Sequence, residues 1–217
     1  MKDTVLMVMS IRDLEPVLKA NDSLDCEKIY FKGFTEYELV PLINNFINES
    51  NFKNYFITSD DAMLSKDKFE LLKYYLNFLP IVSGWCVLRQ NSIETTIVDP
   101  KKLNHYNSFF SVLQNCDLVN AAYKTHEIEH LPNIINSGFS GWCFTGAKKE
   151  IWQEYPFQVY DKEMGARSDY NFAVRVLKDE KYNISVIKKC RVIHLSHSDS
   201  LDKYKHDFLS KSIIKTF

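Results

Sequence analysis

Near its start the chain carries an unbroken apolar, β-prone run, Thr4–Met9, with no polar alternation. A strand with one wet face would alternate, so this run predicts a central strand covered on both sides. A short helical stretch is predicted from Leu14 to about Asn21, and a second strand at Ile29–Phe31. Thr35 and Glu38 have capping-box spacing, and Leu39, Val40, Ile43, Phe46 and Ile47 then form one helical stripe. Tyr55–Ile57 predicts the next strand, which ends at Thr58-Ser59-Asp60-Asp61. A helix follows from about Ser65, with Phe69, Leu72, Leu76 and Leu79 on one face and Pro80 as its stop. Strands are predicted at Ile81–Leu88 and Thr95–Val98. The alternation β-α-β-α-β-α-β predicts an α/β fold with a doubly wound, mostly parallel sheet and helices on both faces.

The second half is less regular. Residues 100–136 are polar and mixed, with a helix predicted near Asp117–Glu129. A strand is predicted at Gly141–Thr145 and a short helix at Ala147–Glu154. Ser168 caps a helix to about Glu180 with Phe172, Ala173, Val176 and Leu177 inward, and strands Ile184–Ile187 and Val192–Leu195 precede a Lys- and Ser-rich tail. Ser-Gly-Trp-Cys occurs at 83–86 and again at 140–143, but the flanks do not match, and the repeat reads as coincidence.

Composition narrows the class. The 217 residues, 45% of them apolar, are expected to form one domain with one sizeable core, made of a half over 1–99 and a half with the tail over 100–217. A net charge of −1 and dispersed basic residues give no patch for nucleic acid. No run approaches the roughly 18 apolar residues of a membrane span, and the apolar start of about six residues is too short for a signal-peptide core. Cys26, Cys86, Cys116, Cys143 and Cys190 include no CxxC pair and read as reduced, mostly buried thiols. The expectation is a soluble, cytoplasmic protein.

Asp60 and Asp61 carry the most pointed chemistry. Ligands of open α/β sheets collect at the carboxyl ends of strands, and this pair directly follows one. Two adjacent carboxylates repel unless a cation lies beside them. Mg²⁺ or Mn²⁺ would answer that need and would bridge a nucleotide diphosphate. The plain alternative is a helix N-cap or Asx turn.

The order of these features resembles the GT-A glycosyltransferases, in particular the family-two-like group, from Val5 to His194. Val5–Met9 leading to Ser10-Ile11-Arg12 matches the family's first strand and polar loop. Thr58-Ser59-Asp60-Asp61 stands at the family's Asp-x-Asp motif, with Thr58 in the place of a first aspartate. The glycine and aromatic segment Ser137–Gly146 precedes the helical Lys148–Glu154. Ser168-Asp169 with Arg175 falls at the family's Glu-Asp helix start, and Val192-Ile193-His194 at its strand ending in His.

The resemblance implies a metal-dependent transfer of a sugar from a UDP or GDP donor to a hydroxyl of a glycan, protein or lipid-linked acceptor. Asp60 and Asp61 would be the metal and diphosphate centre, either being the direct ligand and one of them alternatively a ribose contact. His194 would be a further metal ligand or diphosphate contact, with His197 near enough to substitute. Asp169 would be the base of an inverting reaction, deprotonating the attacking hydroxyl; its ordinary role is to suit the helix dipole. Arg175 would reach a phosphate or brace Asp169. Ile11, Arg12 and Asp13 would lie beside the nucleobase and ribose, and Trp85, Phe139 and Trp142 are aromatic candidates for stacking, or simply core.

A competing motif is His126-Glu127-Ile128-Glu129-His130, which fits H-E-x-x-H. On one helix, His126 and His130 would share a face around zinc, with Glu127 as general base and Glu150, Glu154 or Glu163 as third ligand. Pro132 ends that helix almost at once, and a solvated polar helix end is the alternative. Thr58 and Ser168 also leave room for a non-catalytic interaction protein with a transferase-like fold.

Overall fold

All seven residues of β1 (Thr4–Ser10) are buried, as an apolar run covered on both faces requires. The computed structural model describes residues 2–10, 12–33, 35–87, 93–103, 121–159 and 168–195. From β1 the chain passes through α1 (Glu15–Asp22), β2 (Glu27–Lys32), α2 (Glu36–Glu49), β3 (Asn54–Ser59), the short β4 (Ala62–Met63), α3 (Lys66–Tyr75) and β5 (Ile81–Trp85). β6 (Glu94–Val98), α4 (Pro100–Leu103), β7 (Ala122–Lys124), β8 (Ile134–Ser137), β9 (Thr145–Lys148) and α5 (Lys149–Glu154) follow. The last described elements are α6 (Ser168–Asp179), β10 (Ile184–Arg191) and β11 (Ile193–His194).

The central sheet has seven strands in the order β2-β1-β3-β9-β5-β10-β8. β2, β1, β3, β5 and β10 run one way, and β9 and β8 run against them, so the sheet is mixed but mostly parallel. One face buries Val5, Met7 and Ile57 under Leu39 and Ile43 of α2, Ile151 and Trp152 of α5 and Phe172 of α6. The other buries Leu6, Val8, Phe56 and Val82 under Phe69 and Leu72 of α3 and under Leu24 and Cys26 beyond α1. Successive residues of one strand thus enter opposite clusters, the period-two rule acting on a strand with no wet face. Among the described residues, no helix is long and apolar enough to cross a membrane.

The departures from the sequence reading are local. The expected regular β-α succession places Thr95–Val98 in the main sheet, but β6 pairs with β7 in a separate two-stranded ribbon. The seat beside β3 and β5 goes to β9, which starts at Thr145 where the strand was expected to end. Gly146 lies directly opposite Phe56, whose ring covers it: a Cβ at Gly146 would stand 2.3 Å from the ring. The last two predicted strands are arranged as one eight-residue β10 followed by the two-residue β11. Thr35 is the N-cap position of α2, but its side chain makes no capping hydrogen bond.

Of the predicted helix near Asp117–Glu129, Ala121 is helical, but Ala122–Lys124 is a strand and Ile128–His130 a single 3₁₀ turn (residues 104–120 lie outside the described region). His126 and His130 therefore do not share an α-helical face. Glu127 accepts the Lys124 N–H at 2.5 Å, a local turn contact. Glu163 lies outside the described residues.

Candidate functional site

The chain reverses direction across the sheet beside β1. β2 flanks it on one side and β3, next in sequence, on the other. That makes the β1/β3 gap a topological switch point, with its crevice at the carboxyl ends of the two strands. Those ends carry Ser10-Ile11-Arg12 and Ser59-Asp60-Asp61; Ile11 is outside the described residues.

Asp60 and Asp61 are both buried, and both carboxylates converge on one guanidinium. Arg12 Nη2 lies 2.7 Å from Asp60 Oδ1 and 3.0 Å from Asp61 Oδ2. The Arg12 backbone N–H adds a 2.6 Å bond to Asp60 Oδ2, and Nε a longer one at 3.3 Å. Asp61 Oδ1 accepts the Ser59 hydroxyl at 2.7 Å and faces His194 Nε2 at 3.3 Å. The cation that two adjacent buried carboxylates demand is thus supplied, in this state, by the chain itself.

His194 arrives through the pairing of β11 with β4, which sets it opposite Ala62, next to Asp61. Leu195 N–H fixes the register by donating to the Asp61 carbonyl at 2.8 Å. Burial favours protonating Asp61, but the hydrogen bond and charge of His194, the Ser59 hydroxyl and Arg12 outweigh it and hold the carboxyl well below the usual carboxylate range. The same hydrogen bond to Asp61 raises the His194 pKa, against the opposing effect of burial.

Trp142 connects this crevice to the start of α6. Its carbonyl accepts the Ser59 N–H at 3.3 Å, and its indole N–H donates to Ser168 Oγ at 3.1 Å. The ring is buried against Trp152, Phe157 and Phe172. Ser168 N–H in turn donates to Glu36 Oε2 of α2 at 2.5 Å. The preceding turn bends sharply, with φ 62° at Gly141 and φ 57° at fully buried Phe144. A left-handed conformation is costly for a bulky residue, and Phe144 is held in it by packing on Phe69.

Asp169 follows Ser168 in the first turn of α6, half-buried, with Oδ1 accepting the Tyr170 N–H at 2.8 Å. Arg175 braces that helix: Nε donates to Asn171 Oδ1 at 2.8 Å, and Nη2 donates to the Pro156 carbonyl. Asp13 pairs with Lys32 at the carboxyl end of β2. Trp85 is buried with its indole N–H on the Lys188 carbonyl at 2.8 Å, and buried Phe139 stacks on Tyr170 at 4.5 Å. His197 lies outside the described residues.

The geometry brings Arg12, Asp60, Asp61 and His194 together, and it tethers Asp169 to them through Trp142 and Ser168. Among the described residues, no group of three or more His, Cys, Asp or Glu is gathered as a metal cage. Sequence reasoning missed Ser59 and Lys32. Their signal was position alone: each ends a strand at the same edge as the acidic pair.

No family model matches the chain, and no curated protein matches it. Among solved structures the fold recurs, and one similar chain is A197 from STIV. It is 12% identical, with a TM-score of 0.58, over 88% of this chain and 85% of that one.

Proposed function

We propose that the chain is a GT-A-type glycosyltransferase that moves a sugar from a UDP or GDP donor to an acceptor hydroxyl, with inversion. The observation that carries the reading is the buried acidic pair with Arg12 at the switch point between β1 and β3. A structural ion pair needs no such address, whereas a nucleotide crevice forms there for topological reasons. The seven-stranded sheet, with the reversed β9 between β3 and β5, is compatible with the GT-A resemblance of the sequence.

Mn²⁺ or Mg²⁺ is the proposed cofactor; the point it would take between the carboxylates is held by Arg12, so Asp60, Asp61 and His194 form a cage only after rearrangement. Two carboxylates already aim at a single cationic point, and an imidazole stands beside one of them. Once exchanged for Arg12, the ion would be held by Asp60 and Asp61 with His194 drawn in beside them, and it would neutralise the donor diphosphate as it leaves. Arg12 would then be released from the carboxylates to face phosphate or ribose. Asp169 would accept the proton of the attacking hydroxyl, at a helix start kept in place by Trp142 and Glu36.

Thermal unfolding with UDP, GDP and their sugars, each with and without Mn²⁺, tests the reading. Metal-dependent stabilisation by one nucleotide is expected, by about 3 kcal/mol at a hundredfold excess over its Kd. If no nucleotide stabilises the fold under any of these conditions, the transferase reading fails. The non-catalytic alternative, in which Arg12 is a permanent structural partner of the pair, then stands.

A further inference from the structure

We infer that Cys86 and Cys143 form a reversible intramolecular disulfide, a modification site linking the end of β5 to the turn that enters β9. This inference does not rest on the transferase reading. The two cysteines close the two Ser-Gly-Trp-Cys tetrapeptides, and the fold packs those tetrapeptides against each other. Gly84 N–H donates to the Cys143 carbonyl at 2.9 Å, and Ser83 Oγ meets Thr145 Oγ1 at 2.9 Å. The sulfurs of Cys86 and Cys143 are 3.3 Å apart. A disulfide needs them roughly 1.2 Å closer, a displacement that small side-chain rotations supply once the backbones are already in register.

The chemistry favours this pair over the other described cysteines. Both thiols are buried, but the Cys143 S–H supports the Cys86 thiolate and shifts the Cys86 thiol down, while that same contact and then burial push Cys143 well up, which makes Cys86 the attacking thiol and Cys143 the resolving one. Burial pushes Cys26 up to about 11 and Cys190 up to about 12, which leaves both as poor nucleophiles at neutral pH. With hydrogen peroxide as oxidant, the Cys86 thiolate attacks one peroxide oxygen and the O–O bond breaks. The product is a sulfenic acid, and the departing hydroxide takes a proton to become water. Cys143 then loses its proton and attacks that sulfur: the S–S bond forms, the S–O bond breaks, and a second water leaves. Two thiols are oxidised and one peroxide is reduced.

The cross-link would join the two backbone stretches that frame the acidic crevice. Trp142, next to Cys143, accepts the Ser59 N–H, and Trp85, next to Cys86, accepts the Val192 N–H at 2.7 Å just before β11. It would close a loop of 57 residues, enough to raise the melting temperature by about 10 °C.

The test treats the full chain with hydrogen peroxide or with dithiothreitol. It then reads free thiols, non-reducing peptide maps and thermal unfolding. The expected result is loss of two of the five thiols, a peptide cross-linked through residues 86 and 143, and the higher melting temperature, all reversed by dithiothreitol. Cys86→Ser and Cys143→Ser should each abolish the cross-link and the shift. The triple variant Cys26→Ser, Cys116→Ser, Cys190→Ser should keep both, and it decides the matter if either single variant fails to fold. A cross-link through any other cysteine, over-oxidation of Cys86 without a disulfide, or unchanged thiols and melting temperature would each overturn the inference.

Discussion

His194 and Asp61 are joined twice: Nε2 lies 3.3 Å from Oδ1, and the N–H of the next residue, Leu195, binds the Asp61 carbonyl at 2.8 Å. The backbone bond survives substitution of the imidazole, so the side-chain contact can be removed by itself.

Its contribution is pH-dependent, with a definite sign. The folded-state pKa of His194 is raised, so its stabilising effect is complete below the unfolded value of about 6.5 and is lost as pH rises through the folded value. Asp61 is depressed, so its contribution holds above its unfolded value and is lost only in acid, as pH falls through the folded one. The stability gap between wild type and His194→Gln, read by urea unfolding, should therefore be widest near about pH 5.5 and shrink above neutrality. A gap independent of pH would contradict the imidazolium–carboxylate contact.

Arg12 is the cation on which the pair depends. Arg12→Met should cost about 3 kcal/mol, because two buried carboxylates lose their shared partner. Adding Asp60→Asn and Asp61→Asn should restore most of that loss. Chemical denaturation of the four proteins closes the cycle, and additive losses would mean that the charges do not couple.

Under the proposed function, Asp169→Asn should lower turnover at least about 100-fold while leaving donor affinity nearly unchanged. Nucleotide release measures the first quantity and calorimetric titration the second. If donor binding is lost instead, Asp169 is not the base.

Gly84→Ala and Gly146→Ala test the packing around β5 and β9. At Gly146 the added methyl meets the Phe56 ring; at Gly84 it meets the Cys190 and Cys143 carbonyls at 2.7 and 2.9 Å. Each should lose about 2 kcal/mol or more, with Gly84→Ala the worse because backbone yields less than a ring. Equal, negligible losses in urea melts would contradict these contacts.

The N-terminal elements were legible because their signals are local. Val5–Met9 declares a buried strand, and the 39-40-43-46-47 stripe declares α2, without knowledge of any partner. The seat of Thr145–Lys148 between β3 and β5 was not legible, because strand order depends on contacts some ninety residues apart, as with Phe56 and Gly146. The crevice was half legible: position after a strand singled out Asp60 and Asp61, but nothing in the sequence says that the guanidinium of Arg12 bridges them. Trp142 was read as a candidate stacking group. Its tie to Ser59 and Ser168 is a pairing across 26 residues in one direction and more than eighty in the other, which no periodicity encodes.

The late arrival of β9 also governs how the molecule is made. As the chain leaves the ribosome, β1, β2 and β3 can pair, but β3 keeps an open edge until Thr145–Lys148 emerges, and β5 keeps one until Ile184–Arg191 does. Unpaired edges of apolar strands recruit other chains, and pairings this distant in sequence form slowly. The stretch of synthesis from β3 to β10 is therefore the period in which a nascent copy offers the most open strand edge to other chains.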